Sequence, residues 1–198
     1  MRLLVVYCHP VPESYCAALR DAVIDAAEAA GHEVRLKDLY AEGFDPVMGP
    51  EERRLYNDAG VNEAPVEAEL EALRWAEGLI FVHPTWWMSL PAMLKGWLDR
   101  VFVPHVAFTM PTAETSIGPG LTNIRLVGQV TTMGSPWWLW TAALRPGRRI
   151  LLTVIGGGCC APGCKTFHMG LHKMDTASPE KLKGYLARVR KRIARIPV

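Results

Sequence analysis

Three short stretches carry the residue types from which chemistry is built: HPVPESYC (9–16), PTWWM (84–88) and TTMG (131–134). In the first, Ser14 fits a helix N-cap, and the free N–H groups of the turn it opens are suited to phosphate or to a capped loop alone. In the second, Trp86, Trp87 and Met88 follow an apolar run. They read either as core or as an apolar wall for a planar ring. In the third, Thr131, Thr132, Met133 and Gly134 offer hydroxyls, N–H donors and a close backbone approach. Phosphate grip, flat wall and polar rim together describe a flavin site.

The elements that must position these loops are legible from periodicity. Leu3–Cys8, Glu33–Leu39, Gly78–Pro84, Ile124–Gly134 and Lys165–Met174 read as strands, the first and third apolar throughout, as strands buried on both faces are. Between them lie helical patterns. One carries Leu19, Val23, Ala26 and Ala30 and ends at Gly31, a second spans Glu67–Ala76, and a third has Leu94, Trp97, Leu98 and Val101 after Pro91 in its first turn. A last helix opens at Ser178-Pro179-Glu180, with Leu182, Leu186, Val189 and Ile193 inward. Tyr40–Pro65 shows weak local structure, and Arg149–Ile155 reads equally as buried helix or strand. Strand and helix alternate, which requires crossover helices on both faces of a parallel sheet. The fold class is therefore α/β, a flavodoxin-like three-layer sandwich with a five-stranded parallel sheet, in one domain over residues 1–198. In such sheets ligands bind beyond the carboxyl ends of the strands, so the three loops are expected to converge.

Composition narrows the function classes. Net charge is +2 over 198 residues, which gives no overall excess for counterion release on nucleic acid. The first ten residues hold too short an apolar run for a signal segment, and no stretch is long enough to span a bilayer. Five cysteines, an odd number, argue for a reducing cytoplasm. Cys159, Cys160, Cys164 and His168 lack the spacing of familiar zinc knuckles, so no metal is assigned. GCCAPGCKT (158–166) has Cys164 where a phosphate loop needs adjacent Gly and Lys, and a strand is expected after it. The G-x-G-x-x-G fingerprint is absent after the first strand, which makes a nicotinamide dinucleotide a transient substrate rather than a resident cofactor. The basic residues from Lys181 to Arg195 read as a solvated helix face.

HPVPES (9–14), AEGFDPV (41–47), PTWWMSLPAMLKGWLDRVF (84–102) and VTTMGSP (130–136) resemble the NAD(P)H:quinone oxidoreductase and modulator-of-drug-activity family of flavodoxin-like flavoproteins. The resemblance implies a dimeric flavoenzyme, with FAD or alternatively FMN, that takes hydride from NAD(P)H and reduces quinones by two electrons. It implies that His9, Ser14, Tyr15 and Cys16 hold the flavin's phosphate side. Pro84, Thr85, Trp86, Trp87 and Met88 would then lie along the isoalloxazine, and Thr131, Thr132, Met133 and Gly134 around its other edge. Cys16 stands where the family commonly has asparagine, Met133 where a glycine is frequent, and SPWWLW (135–140) departs from the family's small loop. Under this reading Trp87, Phe108, Trp137 and Trp138 position the substrate, and His105 and His168 are candidate proton carriers. Azo or nitro reduction, or a flavin-binding regulatory subunit of an ion-transport system, are the alternatives. The Val101-Phe102-Val103 run and the tryptophans of 137–140 are expected to form a homodimer surface.

Overall fold

The computed structural model describes residues 1–197. Five parallel strands form the central sheet: β1 (Arg2–Tyr7), β2 (Glu33–Asp38), β3 (Gly78–Pro84), β6 (Leu126–Thr132) and β7 (Lys165–Leu171), in the order β2-β1-β3-β6-β7. Between β3 and β6 the short antiparallel pair β4 (Phe108–Thr109) and β5 (Gly118–Pro119) stands apart from the sheet. Chain order reverses at β1, which places the first loop at the topological switch point. β3 and β6 are buried at every residue and β2, at the edge, is half exposed.

Helices cover both faces. On one, α1 (Tyr15–Ala29) and α7 (Pro179–Ile193) pack on Leu3, Val5, Ile80, Val82 and Val130. On the other, α3 (Glu67–Trp75), α4 (Ala92–Val101) and the π-helical segment Arg149–Cys159 cover Leu4, Val6, Leu79, Phe81 and Val127. That segment, which the apolar pattern alone left between helix and strand, is thus a wide helix that buries Leu151, Leu152 and Ile155. Two glycines set the layer spacing. A Cβ at Gly128 would lie 2.2 Å from the Phe167 ring, and one at Gly96 would lie 2.3 Å from the Pro46 carbonyl oxygen, which seats the 41–49 loop against α4. Pro91 turns out to be the N-cap of α4 rather than its first helical residue.

The Tyr40–Pro65 stretch holds more structure than expected, a short helix α2 (Pro50–Leu55) and a 3-10 turn over Ala64–Val66. The remaining short helices are α5 (Trp137–Ala142) and α6 (Pro146–Arg148). A second correction concerns Val101, Phe102 and Val103. All three are buried in the chain's own core and form no free surface, because Phe102 packs edge-on against Trp97 beneath α4. Among the described residues no helix is long and apolar enough to cross a membrane.

Candidate active site at the carboxyl rim of the sheet

The strand register brings the loops together. Tyr7 of β1 pairs with Val82 of β3, Pro84 of β3 pairs with Thr132 of β6, and Thr132 pairs with Leu171 of β7, so four strand ends share one rim. Hydrogen bonds then stitch the loops. The Thr85 N–H donates to the Thr132 carbonyl, the Thr85 and Thr131 hydroxyls lie 2.9 Å apart, and the Met133 N–H donates to the Leu171 carbonyl at 2.9 Å.

A pocket opens between the second and third loops, lined by Pro84, Thr85, Trp86, Trp87, Thr132, Met133 and Gly134. Seven of the residues singled out from sequence therefore meet there. Met174 and Asp175 also line it, and sequence reasoning missed them. They follow the carboxyl end of β7, so the rule that pointed to the other three loops would have found them too. The Met174 N–H donates to the Met133 carbonyl at 3.1 Å, which fixes this fourth loop against the third.

The wall of the pocket is built on unusual backbone. Trp86 closes a tight turn, exchanging backbone hydrogen bonds with Ser89, and Trp87 and Met88 within it take left-handed conformations with φ of 47° and 62°. Such conformations are costly for large side chains and persist where surrounding structure enforces them. The turn leaves Trp87 fully exposed. Among the described residues the N–H groups of Trp87, Met88 and Gly134 make no hydrogen bond, so three donors remain for a ligand. Flat indole beside unpaired N–H donors fits a flavin ring, with apolar faces and carbonyl and nitrogen acceptors along its edge.

The first loop comes nearest at His9, whose ring stands 6.1 Å from that of Trp86, but neither His9 nor Ser14, Tyr15 or Cys16 lines the pocket. His9 Nδ1 lies 3.1 Å from the Val11 N–H and 3.2 Å from the Val11 carbonyl oxygen, which holds the ring against its own loop and leaves Nε2 without a partner in the chain. Ser14 is the N-cap of α1, its hydroxyl oxygen accepting from the Ala17 N–H at 3.1 Å. Behind it the side chains of Tyr15 and Cys16 turn inward. The Tyr15 hydroxyl donates to the Leu182 carbonyl at 2.7 Å and ties α1 to α7, and Cys16 is buried beneath α1. Desolvation pushes both groups up to about 12, so at neutral pH they are an unionised phenol and thiol. What these two residues offer a ligand is the N–H donors of the first helical turn. Ser14→Ala is expected to cost about 1 kcal/mol of stability through the lost cap. A urea melt checks this, and a flavin titration on the same variant shows whether the hydroxyl also contributes to binding.

Other residues singled out from sequence fall elsewhere. Phe108 is half-buried in an apolar groove with Leu98, Phe102, Ile117, Ile150 and Val154, away from the pocket. Trp137 and Trp138 stand exposed at the start of α5, just beyond Gly134, while Trp140 is buried. His105 caps a loop, its Nε2 3.2 Å from the Asn57 carbonyl. His168 is stacked on Trp140 at 5.0 Å and lies inside the fold. Neither histidine lines the pocket: His168 is bonded to Gln129 on the neighbouring strand, and His105 lies against the Asn57 carbonyl. Asp175 is the one ionisable side chain among the pocket's described lining. Among the described residues no cluster of three or more His, Cys, Asp or Glu is arranged for a metal. After GCCAPGCKT the chain continues as β7 rather than a helix.

Beneath the pocket floor runs a buried polar string. His83 Nδ1–H donates to the Pro84 carbonyl at 2.8 Å, Gln129 Nε2–H donates to His83 Nε2 at 3.0 Å, and His168 Nδ1–H donates to Gln129 Oε1 at 2.9 Å. The order of donors defines one tautomer for each ring. Burial pushes His83 down to about 4. His168 is also pushed down to about 4, by burial first and then by the charge of Arg148.

Comparison with known proteins agrees with this architecture. A family model described as a flavodoxin-like fold matches residues 1–158. NAD(P)H dehydrogenase (quinone) 1 of Cavia porcellus is 30% identical over 173 residues, covering 79% of this chain and 62% of that protein. An uncharacterized NAD(P)H oxidoreductase of Haemophilus influenzae is 30% identical over 136 residues, covering 68% of this chain and 65% of that protein. The chain thus spans under two thirds of the length of either relative. The crystal structure of Smu.1420 from Streptococcus mutans superposes with a TM-score of 0.86 at 28% identity, covering 99% of this chain and 100% of the other. An NAD(P)H:quinone oxidoreductase from Methanothermobacter marburgensis has a TM-score of 0.83 at 22% identity, covering 100% and 99% of the two chains, a likeness of fold.

Proposed function

From the premise that the chain belongs to the flavodoxin-like fold family, we propose that it is a flavin-dependent NAD(P)H oxidoreductase that reduces quinones by two electrons. The observation that carries this reading is the rim pocket, where an exposed indole and unpaired N–H donors stand beside Thr85 and Thr132 around one slot. Relatives named as NAD(P)H dehydrogenases acting on quinones support the substrate pair. FAD is the proposed cofactor and FMN its alternative.

A flavin held there would supply hydride transfer between NAD(P)H and a quinone, the two substrates alternating in ping-pong turnover through N5. The chain's own residues bind and orient. Trp86 and Trp87 present a flat face that fixes ring orientation, which near-contact transfer demands. The unpaired N–H groups of Trp87 and Met88 would stabilise negative charge on the reduced ring, as preorganised donors do elsewhere. His9 and the N–H donors of the first turn of α1 would hold the phosphate end. No side chain is assigned as an obligatory acid or base.

Oligomerisation is part of the proposal. The groove holding Phe108, Leu98, Ile117, Ile150 and Val154 is apolar, and a homodimer that buries it would account for the exposure of Ile117 and Val154. A monomer in sedimentation at micromolar concentration would count against it.

Trp87→Ala separates site from scaffold. The side chain is fully exposed, so stability is expected to stay within about 0.5 kcal/mol of wild type. Flavin affinity is expected to fall about tenfold, from lost stacking and buried area. Parallel urea melts and flavin titrations read both. Unchanged affinity would remove Trp87 from the site.

A further inference from the structure

Three of the five cysteines fall in the stretch GCCAPGCKT (158–166), which the rim pocket leaves unused. The chain folds this stretch into a tight turn at the opposite, amino rim of the sheet, between the π-helical segment and β7. Pro162 and Gly163 occupy the centre of the turn. Gly163 has a φ of 76°, and the Cys164 N–H donates to the Ala161 carbonyl at 2.9 Å. Proline followed by glycine at these positions is the pattern of a type II turn. Both ends of the turn are stitched to one neighbouring segment. The Ala161 N–H donates to the Ile124 carbonyl at 3.0 Å, and the Lys165 N–H donates to the Arg125 carbonyl at 2.9 Å. The chain therefore doubles back so that Cys160 and Cys164 face each other, the Cys160 S–H donating to the Cys164 sulfur.

The three thiols differ in their surroundings. Cys160 is 2% exposed and packs in the core, while Cys159 lines the apolar groove beside Phe108 and Val154. Cys164 is half-buried and lines a cavity of about 310 Å³ together with Arg125, Leu126, Pro162, Lys165 and Ile196. The described lining of that cavity holds no carboxylate. Burial raises both Cys160 and Cys164 above the usual thiol range, and the hydrogen bond from Cys160 works against that rise at Cys164. Of the two, Cys164 is thus the more readily ionised and the one a small molecule can reach. Cysteines that merely fill core space need neither a facing thiol nor a cavity.

We propose that Cys160 and Cys164 form a redox-active dithiol, in which Cys164 meets hydrogen peroxide through the cavity and Cys160 closes an intramolecular disulfide. The Cys164 sulfur attacks one peroxide oxygen, the O–O bond breaks, and one water leaves a sulfenic acid behind. The Cys160 sulfur then attacks the Cys164 sulfur. The S–S bond forms, the S–O bond breaks, and hydroxide departs with the Cys160 proton as a second water. Two electrons have left the thiol pair and reduced one peroxide to two waters. The new bond ties the end of the π-helical segment to the start of β7. Because this pair sits at the rim opposite the proposed flavin slot, it rests on no property of that slot.

The test is peroxide treatment of the purified full chain, followed by N-ethylmaleimide, trypsin and mass analysis. All three cysteines fall in one tryptic peptide, residues 150–165. Untreated protein is expected to give this peptide with three maleimides. Treated protein should give it with one maleimide and two hydrogens fewer, and dithiothreitol should restore the first form. Cys159→Ser should still lose the two hydrogens. Cys160→Ala should stop at the Cys164 sulfenic acid, which dimedone captures, and Cys164→Ala should leave both remaining thiols free. Three maleimides after peroxide would overturn the proposal and reduce the thiols to core filling. So would loss of the bond in Cys159→Ser, a bond between Cys159 and Cys160 in Cys164→Ala, or a disulfide between chains on a non-reducing gel. The wild-type and Cys159→Ser results decide the matter even where Cys160→Ala fails to fold.

Discussion

Replacing Trp97 with alanine is expected to cost about 4 kcal/mol of folding stability, the largest effect of any single change in the segment 84–102. Trp97 is fully buried, with its ring set edge-on to Phe81 at 6.3 Å and to Phe102 at 5.8 Å. Its indole N–H donates to Glu69 Oε2 at 2.7 Å, and the other oxygen of that nearly buried carboxylate accepts from Lys37 at 3.0 Å. Alanine would open a cavity between α4 and the sheet and leave Glu69 with one donor fewer. Trp97→Phe keeps most of the packing and loses the N–H, so a smaller loss of about 2 kcal/mol is expected. Urea denaturation reads both variants, and the phenylalanine protein should remain folded even if the alanine protein does not. If both melt like wild type, α4 is not anchored through Trp97. The contrast with Trp87, ten residues earlier and fully exposed, divides one motif into a scaffold half and a site half.

Acid is expected to destabilise the protein steeply below pH 6.5, through the string of His83, Gln129 and His168. In the unfolded chain both histidines return toward 6.5, whereas in the fold each is held down to about 4. Between those values the unfolded chain binds protons that the native chain refuses. Stability is therefore fully present above pH 6.5 and is lost as the pH falls toward 4. For the fully buried His83 alone the loss is on the order of 3 kcal/mol. Urea midpoints measured across this interval check the slope. The paired change His83→Leu, Gln129→Leu removes one of the two titrating rings and is expected to flatten the slope by about half. A wild-type midpoint that does not move over this range would show that the imidazoles are not held neutral. Because His83 donates to the Pro84 carbonyl at the entrance to the Trp86 turn, the same titration should loosen ligand binding at the rim.

How much of this was legible beforehand depends on whether the signal was local. β3 and the last helix could be read to within a residue, since an unbroken apolar run and a Ser-Pro-Glu start are complete within their own windows. The helix Pro50–Leu55 carried its own marks, proline at the first position, two glutamates and then two arginines, yet it has no buried face and so no periodicity to announce it. The π-helical segment Arg149–Cys159 was ambiguous because its apolar residues are consecutive, and only the neighbouring layer decides between strand and helix. At the site, the Trp86–Trp87 wall and the Thr132–Gly134 edge followed from the rule that ligands sit at strand ends. Directions of side chains did not follow. Tyr15 and Cys16 sit at the right place in the chain, but α1 rotates them toward α7 and the core, and Phe108 is carried off by a ribbon outside the sheet. The polar string escaped notice because His83, Gln129 and His168 lie on three strands whose adjacency only the sheet order reveals.

The central claim is that strand-end loops at one rim of the sheet form a slot for a flavin, and the cofactor itself tests it most directly. Purified protein is denatured, the released compound is identified by mass, and the native protein is treated with NADPH without oxygen and then with a quinone. The account predicts one flavin per chain, with yellow absorption that NADPH bleaches and the quinone restores. The Trp87→Ala protein, equally stable, should lose much of its flavin on dialysis. Protein that neither retains nor takes up FAD or FMN would contradict the account.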